Sequence, residues 1–380
     1  MQNSAPLIAH VIYRLDIGGL ENGLVNLINR IPENRYRHAI LCMKGYSDFR
    51  NRIRRKDVVI IDLEKREGHD FMLYYRLWKH LKMLKPDIVH TRNLATLEAV
   101  VPAILTGIRV RIHGEHGRDI GDLDGSNRKH QLMRRMISPI VSHYIALSRD
   151  LESYTHAKIG VSRRKITQIY NGVDTEKFHP PAGKNPALPF SEPGLIVFGT
   201  VGRMQAVKDQ TTLVRAFIRM LEIAPQFRNT TRLMMIGDGP LRSAAITLLE
   251  EAGCSELAWL PGSRDDVATL MRQMDIFVLP SLAEGISNTI LEAMATALPV
   301  IATKVGGNEE LVDENGTGQL TPPADPEAIA KAMIRYLDHP RLIARHGSAA
   351  RQKAEKYFSM EAMVSSYLQV YDHQLNARPS

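Results

Sequence analysis

The chain has 380 residues, 44% hydrophobic and 24% charged, with a net charge of +8. That length predicts two domains, and that composition a soluble globular protein rather than a disordered or fibrous one. Two distant cysteines, Cys42 and Cys254, exclude a disulfide framework, the N-terminus shows no basic-then-apolar leader, and no apolar run reaches the ~18 residues of a membrane span, so a cytoplasmic location is expected.

In chain order, short apolar runs at 8–13, 39–43, 58–62, 87–90, 109–114 and 143–147 read as strands. Helical periods at 21–31 and 71–84 fall between them. The alternation predicts a parallel sheet covered by helices. Three basic clusters lie in this half: Arg50 to Lys56, Arg76 to Lys85, and Arg128 to Arg135. In the second, Leu73, Leu77, Leu81 and Leu84 recur at helical spacing, which puts the charges on an amphipathic helix. Such a face suits an anionic membrane surface or plain solvent. It suits nucleic acid poorly, because few aromatics interleave with the charge.

Five prolines between His179 and Gly194 interrupt the pattern. They predict an interdomain linker at 181–194, after a first domain over 1–180. The alternation resumes with strands at 195–201, 232–236, 257–260, 276–279, 300–303 and 318–321. Helices fall at 209–224, 239–252, 265–274, 288–295, 326–337 and 340–357, giving a second domain over 195–357. One more helix, 360–376, closes the chain within 358–380. Ligands of such sheets bind at the carboxyl ends of strands, and two facing sheets make the cleft between them the expected site.

The chemistry-bearing residues follow the strands of the second half. Arg203 and Lys208 stand in one loop, a planar fork of donors and a mobile point charge that can converge on one anion, such as a departing diphosphate. Downstream, Glu284-Gly285-Ile286-Ser287-Asn288 leads into a helix containing Glu292. Gly285 lets backbone approach a ligand, and the helix start favours phosphate. Glu292, about one turn in, could accept two ribose hydroxyls, and Glu284 hydroxyls of a sugar.

Taken in order, Gly202-Arg203 with Lys208-Asp209, Gly237-Asp238-Gly239-Pro240, Pro261-Gly262 and Glu284 to Glu292 closely resemble the donor domain of family 4 glycosyltransferases, which have the GT-B fold: two Rossmann-like domains facing across a cleft. Asn171-Gly172-Val173-Asp174 and Gly18-Gly19-Leu20-Glu21 match further segments of that family. The resemblance implies that Arg203 and Lys208 hold the donor diphosphate, Glu292 the ribose and Glu284 the donor sugar. It implies that Gly237, Asp238, Gly239 and Arg264 line the base pocket, that Gly285, Ile286, Ser287 and Asn288 border the phosphates, and that Gly18 and Gly19 keep the first loop low. His116 matches the family's active-site histidine, with His113 a nearby rival. Retention of configuration without metal or cofactor is implied, the nucleotide-sugar being a substrate. The stretch 114–130 also resembles a subgroup associated with bacterial exopolysaccharide and PEP-CTERM sorting gene clusters. That implies a glycan or lipid-linked acceptor and peripheral contact with the membrane's inner face.

Other features compete. Asp122-Leu123-Asp124 has the D-x-D form of metal-dependent transferases but lies in a glycine-rich loop. His113 and His116 lack a third metal ligand. Trp78 and Trp259 read as packing residues. A nucleotide-sugar 2-epimerase of the same fold, or a non-catalytic sugar-nucleotide-binding assembly protein, are the alternative functions.

Overall fold

The computed structural model describes residues 5–68, 70–117, 122 and 125–377. The chain divides into two compact units, Met1–Gly172 with Met360–Ser380, and Val173–Ser359. In the first, strands β1 (Leu7–Ile12), β2 (Arg37–Cys42), β3 (Val59–Asp62), β4 (Ile88–Arg92), β5 (Val110–Glu115), β6 (His143–Ala146) and β7 (Ile166–Gln168) form a seven-stranded sheet in the order 3-2-1-4-5-6-7. Each pairing is parallel. The strands buried on both faces explain the near-continuous apolar runs of the sequence.

Alternate residues of β1 serve two cores. Ile8 packs with Leu27, Ile88 and Ile112 against Met363, Tyr367 and Tyr371 of the C-terminal helix Met360–Asn376. Leu7, Ala9 and Val11 pack with Leu73, Leu77 and Leu81 of the helix Phe71–Leu84 and with Ala103. The predicted leucine stripe is thus this helix's inner face.

The second unit holds β8 (Ile196–Val201), β9 (Thr231–Ile236), β10 (Ala258–Gly262), β11 (Ile276–Leu279), β12 (Val300–Thr303) and β13 (Gly318–Thr321), ordered 10-9-8-11-12-13. Phe198, Leu213, Phe217, Met235, Val278, Met333 and Tyr336 fill its core. In each sheet the strand order reverses once, between β1 and β4 and between β8 and β11. Those two places are where open α/β sheets leave a crevice for ligands.

The proline-rich segment read as a linker lies on the second unit. Lys184 Nζ binds Asp275 Oδ2 at 2.7 Å and the Leu195 carbonyl at 3.1 Å, and Gln273 Nε2 donates to the Asn185 carbonyl at 3.4 Å. The chain leaves the first unit at Gly172 and re-enters it at Met360.

Candidate functional site

In the second unit the predicted residues sit on loops at the carboxyl ends of β8 to β11. The first three loops are stitched to one another. Gly202 N donates to the Ile236 carbonyl at 2.9 Å, Met204 N to Asp238 O at 2.8 Å, and Gly237 N to Gly262 O at 2.9 Å. Gly237 has φ +138°, and a Cβ there would stand 1.9 Å from the Gly202 carbonyl oxygen. No side chain fits without separating the loops. Asp238 turns its Oδ1 to Gly239 N at 2.7 Å. Arg264 is exposed and forks onto Asp266 at 2.9 and 2.8 Å.

The loop after β11 meets the loop after β8 across the switch point. Lys208 Nζ donates to Glu284 Oε1 at 2.5 Å, and Ser281 Oγ donates to the same oxygen at 2.6 Å. The Glu284 side chain is 8% exposed and that of Lys208 24%. Each group's orientation is therefore fixed by the other, although 76 residues separate them. The backbone is gripped as well: Leu282 N donates to the Val207 carbonyl at 2.8 Å, Gly307 N to Gly285 O at 2.9 Å, and Thr303 Oγ1 to Ser281 O at 2.5 Å. At Gly306, φ is +49° and an added Cβ would fall 1.9 Å from the Glu284 carbonyl oxygen. Ser281, Gly306 and Gly307 were not anticipated from sequence; the adjacent glycines after β12 were the available signal.

Helix Asn288–Ala295 starts directly after this loop. Ser287 is buried, and its hydroxyl accepts from Ile290 N at 3.4 Å as an N-cap, so that oxygen is engaged by the helix itself. Ile286 is buried and packs toward Gly307. Glu292 is half-buried on the helix. Arg203 is exposed, its side chain without a hydrogen-bond or ion-pair partner among the described residues, while its carbonyl accepts from Gln210 Nε2 at 2.9 Å. The structure thus joins Lys208 to Glu284 but not to Arg203. The ammonium on a fixed carboxylate beside a helix start, and the exposed guanidinium in the loop after β8, are groups suited to an anionic ligand that also carries hydroxyls.

In the first unit Gly18 caps the helix Gly19–Arg30 beyond β1, with an extended backbone (φ −163°). His116 follows β5 directly. Its N–H donates to Asn93 Oδ1 at 2.7 Å, and Asn93 N–H donates to the Gly114 carbonyl at 2.8 Å. The His116 Nε2 is buried without a hydrogen-bond partner among the described residues, folded over Gly114, where an added Cβ would lie 2.5 Å from it. His113 is wholly buried between Thr91 Oγ1 at 2.8 Å and Glu115 at 3.4 Å, a structural position.

Beneath His116 lies a buried cation, Arg92, 3% exposed. Its Nη1 donates to His10 Nδ1 at 3.1 Å and its Nη2 to His90 Nδ1 at 3.4 Å. Because a guanidinium can only donate, both rings carry their proton on Nε2, and His10 Nε2 then donates to His38 Nδ1 at 3.0 Å. Burial first, then the Arg92 charge, hold His10 and His90 well below the ordinary imidazole range and bring His116 to about 3. His116 is thus neutral at physiological pH. Glu115 is raised by burial, but His113 and Arg134 outweigh this and leave it at about 2.

The D-x-D stretch is only partly within the described residues; Leu123 and Asp124 lie outside them. Asp122 is buried and accepts from Asn127 N at 2.9 Å, with His130 Nδ1 at 3.3 Å. Both its oxygens are engaged inside the protein.

Residues 17–177 match the model of Glycosyltransferase Family 4, and residues 196–339 that of Glycosyl transferases group 1. The chain is 28% identical to the N-acetyl-alpha-D-glucosaminyl L-malate synthase of Bacillus anthracis, over 94% of this chain and 88% of that one. It is 29% identical to the Escherichia coli UDP-Gal:alpha-D-GlcNAc-diphosphoundecaprenol alpha-1,3-galactosyltransferase, over 69% of each. The crystal structure of a glycosyltransferase from Rickettsia africae superposes with a TM-score of 0.84 at 19% identity, covering 98% of this chain and all of that one, which shows the shared fold. The chain belongs to the family 4 glycosyltransferases and has the GT-B fold of two α/β domains. It is a glycosyltransferase acting on sugar donors, related to enzymes of polysaccharide and lipid-linked glycan synthesis.

Proposed function

We propose that the protein transfers a sugar, with retention of configuration, from a nucleotide-diphosphate sugar to a glycan or lipid-linked acceptor in bacterial exopolysaccharide or cell-surface glycan synthesis. The observation that carries this is the Lys208–Glu284–Ser281 arrangement at the β8/β11 switch point, beside the start of helix Asn288–Ala295. Arg203 and Lys208 neutralise the diphosphate as charge develops on it. Glu284 accepts hydroxyls of the donor sugar and Glu292 those of the ribose. The loops of Gly237, Asp238, Gly239 and Arg264 border the base. His116 offers its unpartnered Nε2 to a sugar hydroxyl; an orphaned buried nitrogen gains about 1–3 kcal/mol when satisfied.

In the reaction the bond from the anomeric carbon to the phosphate oxygen breaks. The acceptor oxygen bonds to that carbon on the same face, and the leaving phosphate takes the acceptor's proton. The products are a glycoside and a nucleoside diphosphate. No metal or cofactor enters the scheme, and the enzyme works in the cytoplasm at the membrane's inner face.

A panel of nucleotide-sugars with lipid-diphosphate-linked acceptors, read by mass spectrometry with a chelator present, tests this. An acceptor heavier by one sugar, with the donor's anomeric configuration in its NMR coupling, is the expected result. An isomerised donor would mean an epimerase; donor binding without turnover would mean an assembly protein; inhibition by the chelator would overturn metal independence.

A further inference from the structure

Three backbone carbonyls from two distant stretches of the second unit converge on one side chain, Arg351 of the helix Arg341–Tyr357. Its Nη1 donates to the Ala295 carbonyl, to Phe178 O at 2.7 Å and to Thr175 O at 3.2 Å, and its Nη2 also reaches Thr175 O at 3.2 Å. Its Nε donates to Glu355 Oε1 at 2.6 Å, which fixes the plane of the guanidinium. The side chain is 18% exposed. A guanidinium only donates, and its rigid fork can serve several carbonyls at once. Ala295 closes the helix Asn288–Ala295, where the carbonyls lack helical partners and carry the negative end of the helix dipole. Arg351 therefore neutralises the end of the very helix whose start follows the Glu284 loop.

Its neighbours on the same helix reinforce that hold. A Cβ on Gly347 would stand 2.1 Å from the Ala297 carbonyl oxygen, so the two backbones touch there. Lys353 Nζ donates to Glu310 O at 3.1 Å and to Asp313 Oδ1 at 2.8 Å, at the end of the helix Asn308–Leu311. That helix follows Gly306 and Gly307, which grip the Glu284 loop. One helix thus backs both segments that shape this loop.

The other two carbonyls lie just inside the point where the chain enters the second unit. There Val173 N donates to Phe358 O at 2.7 Å, and Val173 pairs with Ser359 in a parallel bridge. Val173, Phe178, Phe358 and Ser359 are all buried. The entering and departing stretches are consequently one piece, and Arg351 bonds that piece to the helix Asn288–Ala295. An eight-residue helix is a rod of about 12 Å, so a shift at its start is felt at its end. Coupling of this kind acts equally in both directions.

We propose that Arg351 is a positioning residue of the transferase: it sets the helix Asn288–Ala295 against the stretch 175–178 and transmits occupancy of the helix start to that stretch. The proposal rests on the preceding reading in that this helix start takes the diphosphate of the nucleotide-sugar.

Hydrogen exchange of the full-length protein, read by mass spectrometry with and without uridine diphosphate, tests this. The amides of Glu176, Lys177 and Phe178 are bonded to Asp174, so their exchange is slow enough to report. In the parent chain the nucleotide slows exchange about tenfold at 287–291 and also at 176–178, which touches no nucleotide in this reading. Arg351→Met removes the cation, and Arg351→Lys keeps the charge without the fork. Both variants still bind nucleotide and keep the protection at 287–291 but lose it at 176–178, with near-ultraviolet circular dichroism unchanged. Their kcat falls roughly tenfold or more, because a displaced helix start misaligns the diphosphate. Protection at 176–178 that survives in both variants, or never appears in the parent although nucleotide binds, would overturn the coupling and leave a structural staple only. A parent chain that binds none of uridine, guanosine and adenosine diphosphates would count against the transferase reading. Ligand-free exchange then decides the coupling: Arg351→Met speeds exchange at Thr296 and at 176–178 together, and a change at one alone, or at neither, would overturn it.

Discussion

Glu284 is the residue whose role depends most on its neighbours. With Lys208 at 2.5 Å and Ser281 at 2.6 Å on one oxygen, it is held before any ligand arrives. Lys208→Ala and Glu284→Ala should each lower kcat about 100-fold or more, because a charged contact that strengthens in the transition state is lost. Lys208→Ala also leaves a mostly buried carboxylate with one fewer donor, so urea unfolding should show a loss of about 1–3 kcal/mol rather than collapse. Near-normal turnover in both variants would refute the assignment. Gly306→Ala is a sharper probe, since its Cβ would strike the Glu284 carbonyl. It should weaken donor binding in titration calorimetry at least tenfold while Lys208 and Glu284 remain in place. Both charged residues were legible in the sequence because each follows a strand. Their pairing was not, since contact between positions 208 and 284 exists only once β8 and β11 lie side by side.

Among the elements, helices Phe71–Leu84, Asn288–Ala295 and Met360–Asn376 have the limits that periodicity and capping indicate. The strand β7 escaped notice for a physical reason: Ile166-Thr167-Gln168 is three residues long, follows a basic run, and has one neighbour, β6, to pair with. Proline content marked 181–194 as irregular, which it is, but composition does not tell whether an irregular segment is tethered, as Lys184 tethers this one to Asp275. The buried histidines were equally hidden, because a histidine in an apolar strand gives no sign of what its ring will meet. Tyr371 now explains part of that cluster: it is wholly buried, and its hydroxyl bonds His90 Nδ1 at 2.9 Å. Tyr371→Ala should destabilise the first unit by about 3–5 kcal/mol, and Tyr371→Phe by about 1 kcal/mol, in denaturant titrations.

For the whole molecule, acid should act unequally on the two units. His10, His38, His90, His116 and His143 all belong to the first, and each has its folded pKa lowered by burial; His38 and His116 lie at about 3 and His143 at about 4. Unfolded imidazole titrates near 6.5, so below that value the unfolded chain binds more protons than the folded one. The stability these groups confer is complete above pH ~6.5 and is lost as pH falls toward 3, at up to about 1.4 kcal/mol per pH unit for each. Trp78 lies in the first unit and Trp259 in the second. Single-tryptophan variants should therefore show the Trp78 urea midpoint falling from pH 6.5 to 5 much more than the Trp259 midpoint. Equal shifts would contradict this account. For the same reason His116 should contribute no ionisation to the activity profile between pH 5 and 8.

The return of Met360–Asn376 to the core of the first unit orders events in time. On the ribosome, all of Val173–Ser359 is made before the last helix emerges. The half of the protein synthesised first therefore completes its core last, whereas domains usually finish in order of synthesis. A chain truncated after Ser359 should carry a protease-resistant second unit and a protease-sensitive first one, with the apolar faces of Ile8, Ile88 and Ile112 lacking their cover. Before the last helix emerges, the first unit is a natural client for a chaperone.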